Sequence, residues 1–156
     1  QLDNITPRAF IVQNAKHYNN LTDIKNQFHL SDFNIRNTIL LEGKSSKEKV
    51  IISTADTADV VHYSNNKVVI DTNLRHDGYL VLLDAFYPGW KIYVDNKEAQ
   101  IIKADLIYRA VKLSSGKHKV VFLFDPVLLK IGLAITIIGI ILLTGLLFKY
   151  KEIKWN

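Results

Sequence analysis

The clearest pattern in the chain is a run of apolar residues near its C-terminus. Residues 131–148 form 18 consecutive positions without a charged side chain. As an α-helix this run measures about 27 Å, close to the roughly 30 Å hydrocarbon core of a bilayer. Residues 127–129 extend the run, Pro126 suits its first turn, and the Lys130 amine can reach the headgroups. We therefore predict a transmembrane helix over residues 127–148 rather than a buried core helix, and its C-terminal position excludes a signal peptide.

The residues on the two sides of this helix predict its orientation. Lys149, Lys151 and Lys154 follow the apolar run directly. Loops rich in lysine and arginine stay in the cytoplasm, although Lys117, Lys119 and Lys130 on the other side of the run weaken this bias. We expect residues 149–156 to form a basic cytoplasmic tail and the domain before the helix to be extracytoplasmic, in a bacterial cell membrane.

Small residues mark one face of the predicted helix. Gly132, Thr136 and Gly139 are spaced at i, i+4 and i+7. Such a face allows a second helix to approach closely in lipid. It indicates packing against other membrane helices of a parent protein, and the alternative is that glycine is simply common in membrane helices.

Before the membrane segment, short apolar runs are separated by turn residues such as Asp77-Gly78, Pro88-Gly89 and Asp95-Asn96. One helix is expected over residues 21–28, with Thr22 as its N-cap. The fold class is therefore mainly β: an antiparallel β-sandwich or jelly-roll-like domain over residues 1–126, in which residues 1–48 hold the first strand, the short helix and a loop. The predicted strands cover residues 9–13, 38–42, 50–54, 60–63, 67–72, 79–85, 90–94, 99–103, 106–113 and 117–124.

Alternation within these strands places one arginine among inward-facing residues. Ile107 and Val111 share a face with Arg109. A buried arginine needs an anionic partner, and the candidates are Asp84, which shares a face with two leucines, and Glu42. Asp84 and Arg109 form a structural ion pair or, alternatively, bind a phosphate or hydroxyl of a substrate.

Composition excludes several kinds of site. The net charge is +5, from 20 basic and 15 acidic residues of interleaved sign, which does not indicate a nucleic-acid partner. There is no cysteine, and the five histidines lack metal-ligand spacing, so we expect no metal and no cofactor. No glycine-rich phosphate loop and no Ser-His-Asp order indicative of a hydrolase occurs. Because the chain starts with Gln1 and contains no methionine, we expect it to be part of a longer protein.

Residues 86–95, FYPGWKIYVD, resemble the signature YYPGWKAYVDG of the YfhO family of bacterial membrane proteins. Residues 7–10 and 33–42 resemble its PRAF segment and its FDPRxxVxLE segment. The chain departs from the family at Asn96, where glycine is usual, and at Asn34-Ile35, where Asp-Pro is typical. Further matches follow in order: Ala104-Asp105, Tyr108-Arg109-Ala110-Val111, Leu113, Gly116, His118, Val120 and the terminal apolar helix.

The resemblance implies a parent with many membrane spans and a GT-C-like glycosyltransferase architecture. Such enzymes move a sugar from a lipid-linked donor to an extracytoplasmic acceptor such as a cell-wall polymer. Their catalytic carboxylate lies in an early loop near the N-terminus, so no catalytic residue is expected in this chain. The alternative is a non-enzymatic, membrane-anchored β-sandwich that binds glycans or protein partners at the cell surface. The small-residue face favours the first hypothesis, because a lone anchor needs no packing face.

Three aromatic residues are candidates for contact with a sugar or acceptor. Tyr87, Trp90 and Tyr93 can offer ring faces to the apolar face of a pyranose. Trp90 alternates with Ile92 and Val94, which favours a role as a core anchor, whereas Tyr93 points to the opposite face of its strand.

Overall fold

The computed structural model describes residues 7–28, 34, 37–42 and 55–154. The chain divides into two compact units, Gln1–Phe124 and Asp125–Asn156. Within these described residues, the first unit contains strands and one short helix, and the second contains one long helix. The elements are β1 (Ala9–Val12), β2 (Asn14–Tyr18), α1 (Leu21–Phe28), β3 (Thr38–Glu42), β4 (Thr57–Tyr63), β5 (Lys67–Leu74), β6 (Gly78–Ala85), β7 (Trp90–Val94), β8 (Lys97–Ala99), β9 (Ile102–Ala104), β10 (Tyr108–Leu113), β11 (Gly116–Phe124) and α2 (Val127–Lys154).

The first unit is a sandwich of two sheets. A six-stranded sheet has the order β1-β6-β10-β9-β3-β2, and a five-stranded sheet has the order β4-β5-β11-β7-β8. The pairs are antiparallel except β2 with β3, which is parallel. Side chains from both sheets meet in one core, which confirms the predicted fold class. This core contains Ala9, Val68, Ile70, Leu74, Leu80, Leu82, Ile92, Val111, Leu113, Val120 and Phe122.

The outer face of the six-stranded sheet is buried as well. Tyr79 and Val81 of β6 lie in a second cluster with Ile39, Leu41 and Ala104. Strand β6 is therefore apolar on both faces, which explains why its sequence YLVLL shows no alternation.

Two strands differ from the prediction. The predicted strand over residues 99–103 is split, because β8 lies in the five-stranded sheet and β9 lies in the six-stranded sheet. Strand β2 was not predicted, since its sequence NAKHY carries little apolar character. The predicted strand over residues 50–54 and the loop after Glu42 lie outside the described residues.

The N-cap of α1 is Asn20 rather than Thr22. The Asn20 side-chain oxygen accepts a hydrogen bond from the Asp23 backbone N–H at 2.9 Å. This bond satisfies one of the N–H groups that have no partner within the helix. The prediction was wrong at this residue because α1 begins at Leu21, which places Thr22 inside the first turn.

A two-residue turn joins β7 to β8. Asp95 and Asn96 have φ values of 51° and 66°. Positive φ at both central residues is typical of a type I′ turn, which matches the twist of the flanking strands. Asparagine tolerates this conformation better than most residues, so it can stand where the family usually has glycine.

Asp105 ties the β9–β10 turn to β3. Its backbone N–H donates to the Leu40 carbonyl at 2.9 Å, and its carboxylate accepts from the Leu40 N–H at 2.8 Å. Burial raises the pKa of Asp105 to about 6, although the hydrogen bond from Leu40 opposes the shift. The second carboxylate oxygen is buried without a hydrogen-bond partner.

We expect Asp105→Asn to stabilise the sandwich at neutral pH. The pKa of Asp105 is raised in the folded state, so stability contributed by this group falls as pH rises from about 4 to about 6. Asparagine keeps the acceptor for Leu40 and removes the charge, so the gain should be about 1–3 kcal/mol at pH 7.5 and vanish near pH 4. Urea unfolding in detergent micelles across this pH range measures it.

The control for this prediction is Asp59→Asn, because Asp59 is exposed. It should not reproduce the pH-dependent gain. A difference between Asp105→Asn and the native chain that is constant from pH 4 to 7.5 would contradict the assignment.

The second unit has the properties of a membrane span. Within α2, Val127–Tyr150 covers 24 residues with a mean hydropathy of 2.7, and none of its most apolar window is buried inside the protein. The Thr136 hydroxyl donates to the Gly132 carbonyl at 2.9 Å. That hydroxyl is thus engaged within the helix, and contacts of Gly132, Thr136 and Gly139 with other helices remain a proposal.

Candidate functional site

Charged and aromatic side chains converge at one end of the sandwich. Here β1, β7 and β10 begin, while β4 and β6 end. The antiparallel register places Arg109, the second residue of β10, beside Leu82 near the end of β6. Arg109 projects into the space between the sheets and is only 3% exposed.

Arg109 is held by Asp84 and by two aromatic rings. Its Nη2 lies 3.0 Å from the Asp84 carboxylate, and its Nε lies 3.5 Å from the Asp84 backbone oxygen. The guanidinium carbon is 3.9 Å from the centre of the Trp90 ring and 5.5 Å from that of Phe122. Burial lowers the pKa of Arg109, and the Asp84 carboxylate opposes this shift. A stacked, paired guanidinium of this kind crosslinks the two sheets.

Two further residues complete what we name the Asp84 cluster: Arg8, Tyr63, Asp84, Trp90 and Arg109. The Tyr63 hydroxyl donates to Asp84 at 3.1 Å. Arg8 lies 3.9 Å from the other Asp84 oxygen, and its guanidinium carbon is 4.2 Å above the Tyr63 ring. Burial and the nearby Asp84 charge raise the pKa of Tyr63. Tyr63 belongs to β4 of the opposite sheet, so the cluster spans both sheets.

The exposure of the members indicates what this cluster can do. Arg109 is buried, whereas the Arg8 side chain is 53% exposed. A solute can therefore reach Arg8 and Tyr63, but not the guanidinium of Arg109. The Arg109 Nη1 is buried without a hydrogen-bond partner. Removing only one member of the Arg109–Asp84 pair would leave further buried polar groups without a partner, and each such group lowers the stability of the fold. The geometry thus favours a structural ion pair over a substrate-binding pair.

Two residues that were expected near Arg109 or on its face occupy different positions. Glu42 is exposed, and the carboxylate paired with Arg109 is that of Asp84. Ile107, expected to point inward with Arg109, is 54% exposed. The register shifts between Tyr108 and Arg109, so alternation does not extend back from β10 to Ile107.

The structure does not join the three aromatic candidates into one platform. Trp90 lies on the inner side of β7. The Arg109 guanidinium lies over its ring, and the centres of the Trp90 and Phe124 rings are 5.4 Å apart. Tyr87 is 64% exposed, and the centre of its ring is 6.5 Å from the centre of the Phe124 ring. Tyr93 is half-buried and alternates with the buried Ile92, so it faces outward. Tyr87 and Trp90 therefore share one neighbour, while Tyr93 lies on another surface.

A second polar cluster, which was not predicted, occupies the opposite end of the sandwich. His118 Nδ1 lies 2.7 Å from Asp95, and His118 Nε2 lies 3.3 Å from the Ser114 hydroxyl. The hydrogen bond from His118 lowers the pKa of Asp95. No sequence pattern connects these three residues, because their order along the chain is Asp95, Ser114 and His118 and not the Ser-His-Asp order of a hydrolase.

This second cluster does not have the geometry of an activated nucleophile. His118 Nε2 also lies 3.1 Å from the Ser114 backbone carbonyl, which only accepts hydrogen bonds. Nε2 therefore faces this carbonyl at a shorter distance than the Ser114 hydroxyl, so it is not directed at the hydroxyl alone as a general base would be. The Ser115 N–H, which could have faced an oxyanion, donates instead to Asp77 at 2.8 Å. We therefore interpret His118 as a structural residue that links β11 to the β7–β8 turn through its contact with Asp95.

The part of the chain that the structure describes contains no group of three or more side chains that could hold a metal ion.

Comparison with known proteins identifies the same family as the sequence motifs. The family described as "Bacterial membrane protein YfhO" matches residues 12–136, from β1 into α2. The chain is also 24% identical over 112 residues to "Uncharacterized protein YfhO" of Bacillus subtilis (strain 168), a match that covers 70% of this chain and 13% of the relative. No solved structure matches the chain. Since the family match covers most of the sandwich and the first part of α2, the chain belongs to the YfhO family of bacterial membrane proteins.

Proposed function

We propose that this chain is the C-terminal extracytoplasmic domain and last membrane helix of a multi-span glycosyltransferase. The enzyme would transfer a sugar from a lipid-linked donor to a cell-envelope polymer. The observation that carries the proposal is the family match, which runs through the sandwich into α2, while the chain spans only 13% of the relative's length. The proposed reaction, sugar transfer from a lipid-linked donor, is taken from the GT-C-like architecture that the resemblance of the sequence motifs implies.

In this proposal the sandwich shapes the acceptor side of the enzyme and carries no catalytic residue. The Asp84 cluster makes the two sheets one rigid support. Among the three aromatic candidates, we propose Tyr93 for sugar contact, because it faces outward, whereas Arg109 lies over the Trp90 ring. The face formed by Gly132, Thr136 and Gly139 would pack against other helices of the parent.

The placement of the sandwich outside the cytoplasm rests on the lysines that follow the membrane span. The chain contains no cysteine, so one introduced cysteine reports on sidedness. A membrane-impermeant maleimide should label Lys97→Cys on intact cells. Labelling that requires permeabilised cells would reverse the orientation.

The test of function is the sugar content of the envelope polymers. Cells that lack the full-length parent should lose a sugar substituent from one polymer, and the native gene should restore it. Tyr93→Ala should restore less than Tyr93→Phe, which keeps the ring face for stacking. An unchanged sugar content in the deletion strain would refute the glycosyltransferase, and equal restoration by both variants would remove Tyr93 from the proposed contact.

The alternative, a membrane-anchored module that binds glycans, is favoured by one observation. An open surface cleft of about 340 Å³ lies at the His118 end of the sandwich. Polar side chains of Asp95, Lys97, Glu98 and Lys112 line it. A normal sugar content in the deletion strain, together with saturable glycan binding by this chain, would favour this alternative.

A further inference from the structure

Large apolar side chains are exposed at the same end of the sandwich as the Asp84 cluster. Tyr87 is 64% exposed, Ile107 is 54% exposed and Phe86 is 40% exposed. The Phe86 N–H donates to the Ile107 carbonyl at 2.5 Å, so the two segments are adjacent. We name Phe86, Tyr87 and Ile107 the apolar end patch.

The patch is not explained by the interior of the sandwich. Phe86 and Tyr87 follow the end of β6, and Ile107 precedes β10, so none of the three belongs to a strand. The other large apolar side chains of the sandwich that are exposed in the described residues are Val60, Val61 and Tyr63, in the edge strand that ends at this same end. Among the described residues, Tyr63 and the three patch residues thus gather exposed apolar surface at one end of the sandwich, and such a concentration marks an interaction surface.

The chain leaves the sandwich toward α2 at this same end, where β11 ends. Tyr87 lies 6.5 Å from Phe124, the last residue of β11. Only Asp125 and Pro126 separate Phe124 from Val127, the first residue of α2. Three Cα–Cα steps span at most about 11 Å, so Phe124 stays near the start of α2 in any orientation of the two units.

The start of α2 lies at the bilayer surface. The apolar part of α2 contains 24 residues, which measure about 36 Å as a helix and exceed the roughly 30 Å hydrocarbon core. Its first residues therefore reach the headgroup region. Tyrosine is enriched at this depth, because its ring is apolar and its hydroxyl remains hydrated.

We propose that the apolar end patch contacts the lipid headgroup region of the membrane that α2 crosses. Phe86 and Ile107 would enter the boundary between headgroups and acyl chains, with the Tyr87 hydroxyl at the polar side. Arg8, whose side chain is 53% exposed at this end, would face lipid phosphates.

The test is the depth of single spin labels in lipid nanodiscs. The cysteine-free chain allows one label each at Tyr87→Cys, Ile107→Cys and the control Lys97→Cys, which lies at the opposite end. Collision rates are measured with oxygen, which partitions into lipid, and with a water-soluble nickel chelate. We expect the oxygen-to-nickel ratio to be several-fold higher at 87 and 107 than at 97.

Two outcomes would overturn the proposal. Ratios at 87 and 107 equal to that at 97 would place the patch in water. Exclusion of both reagents at 87 and 107 would mean that protein covers the patch, for example a second copy of the chain. Circular dichroism of each labelled variant confirms that it is folded, and neither outcome depends on a sugar donor or on the proposed transferase activity.

Discussion

Arg109→Ala is expected to lower the free energy of unfolding of the sandwich by about 3–5 kcal/mol, the range for breaking a buried ion pair from one side. The substitution removes the guanidinium between Trp90 and Phe122 and leaves Asp84 without its closest cation. The Asp84 side chain is 13% exposed and keeps the Tyr63 hydroxyl, so the loss should fall in the lower half of that range. Urea unfolding in detergent micelles measures it, with Trp90 fluorescence followed in a Trp155→Phe background.

The matched control is Arg8→Ala, which removes a cation from the same carboxylate. Arg8 is half exposed and 3.9 Å from Asp84, so its loss should cost less than about 1 kcal/mol. In a double-mutant cycle, Asp84→Asn should recover part of the cost of Arg109→Ala, because no uncompensated charge then remains. Equal costs for Arg109→Ala and Arg8→Ala would show that burial of the pair does not determine its contribution.

Ile138→Lys is expected to shift the apparent free energy of membrane insertion of α2 by about 3 kcal/mol toward exclusion. Ile138 lies at the middle of Val127–Tyr150 and is 57% exposed in the chain. At that depth a lysine amine cannot reach either headgroup layer without distorting the bilayer. The measurement is the inserted fraction of the apolar segment, placed in a host protein and translated with microsomes.

The control for the helix is Phe148→Lys. Residue 148 lies near the C-terminal end of the apolar segment, where a lysine side chain can extend into the headgroups at small cost. A similar loss of insertion for both variants would mean that residue 138 is not at the centre of the bilayer, and the assigned span would have to be moved.

Some elements could be predicted from the sequence alone, because the pattern of apolar and polar residues within the element itself determines its structure. The helix α2 followed from uniform apolarity, and β7 followed from strict alternation after a Pro-Gly turn. The side of β10 that carries Arg109 could also be deduced, since side chains alternate with a period of two. The partner Asp84 followed because its position on β6 shares a face with buried leucines.

Other features depend on distant parts of the chain and could not be predicted. Strand β2 is polar and is a strand because it pairs with the buried β3. The segment predicted as one strand after β7 changes sheets between β8 and β9, which no local pattern indicates. Arg8 and Tyr63 join Asp84 from the start of β1 and the end of β4, and neighbours across two sheets are not visible in the periodicity of one strand. Local and global preferences conflict at these positions, where prediction from sequence is weakest.

The order of strands in the six-stranded sheet also constrains how the protein is made. Ala9 pairs with Leu82, and Leu41 pairs with Ala104. Synthesis proceeds from the N-terminus, so β1 and β3 must wait for more than sixty further residues before their antiparallel partners exist. The hairpins β4–β5 and β7–β8 close locally and can form early, whereas pairings between distant segments form slowly. Strand β1 and the open edge of β3 would meanwhile be exposed to aggregation, so assembly of this sheet is expected to be the slow step in biogenesis and the step most dependent on chaperones.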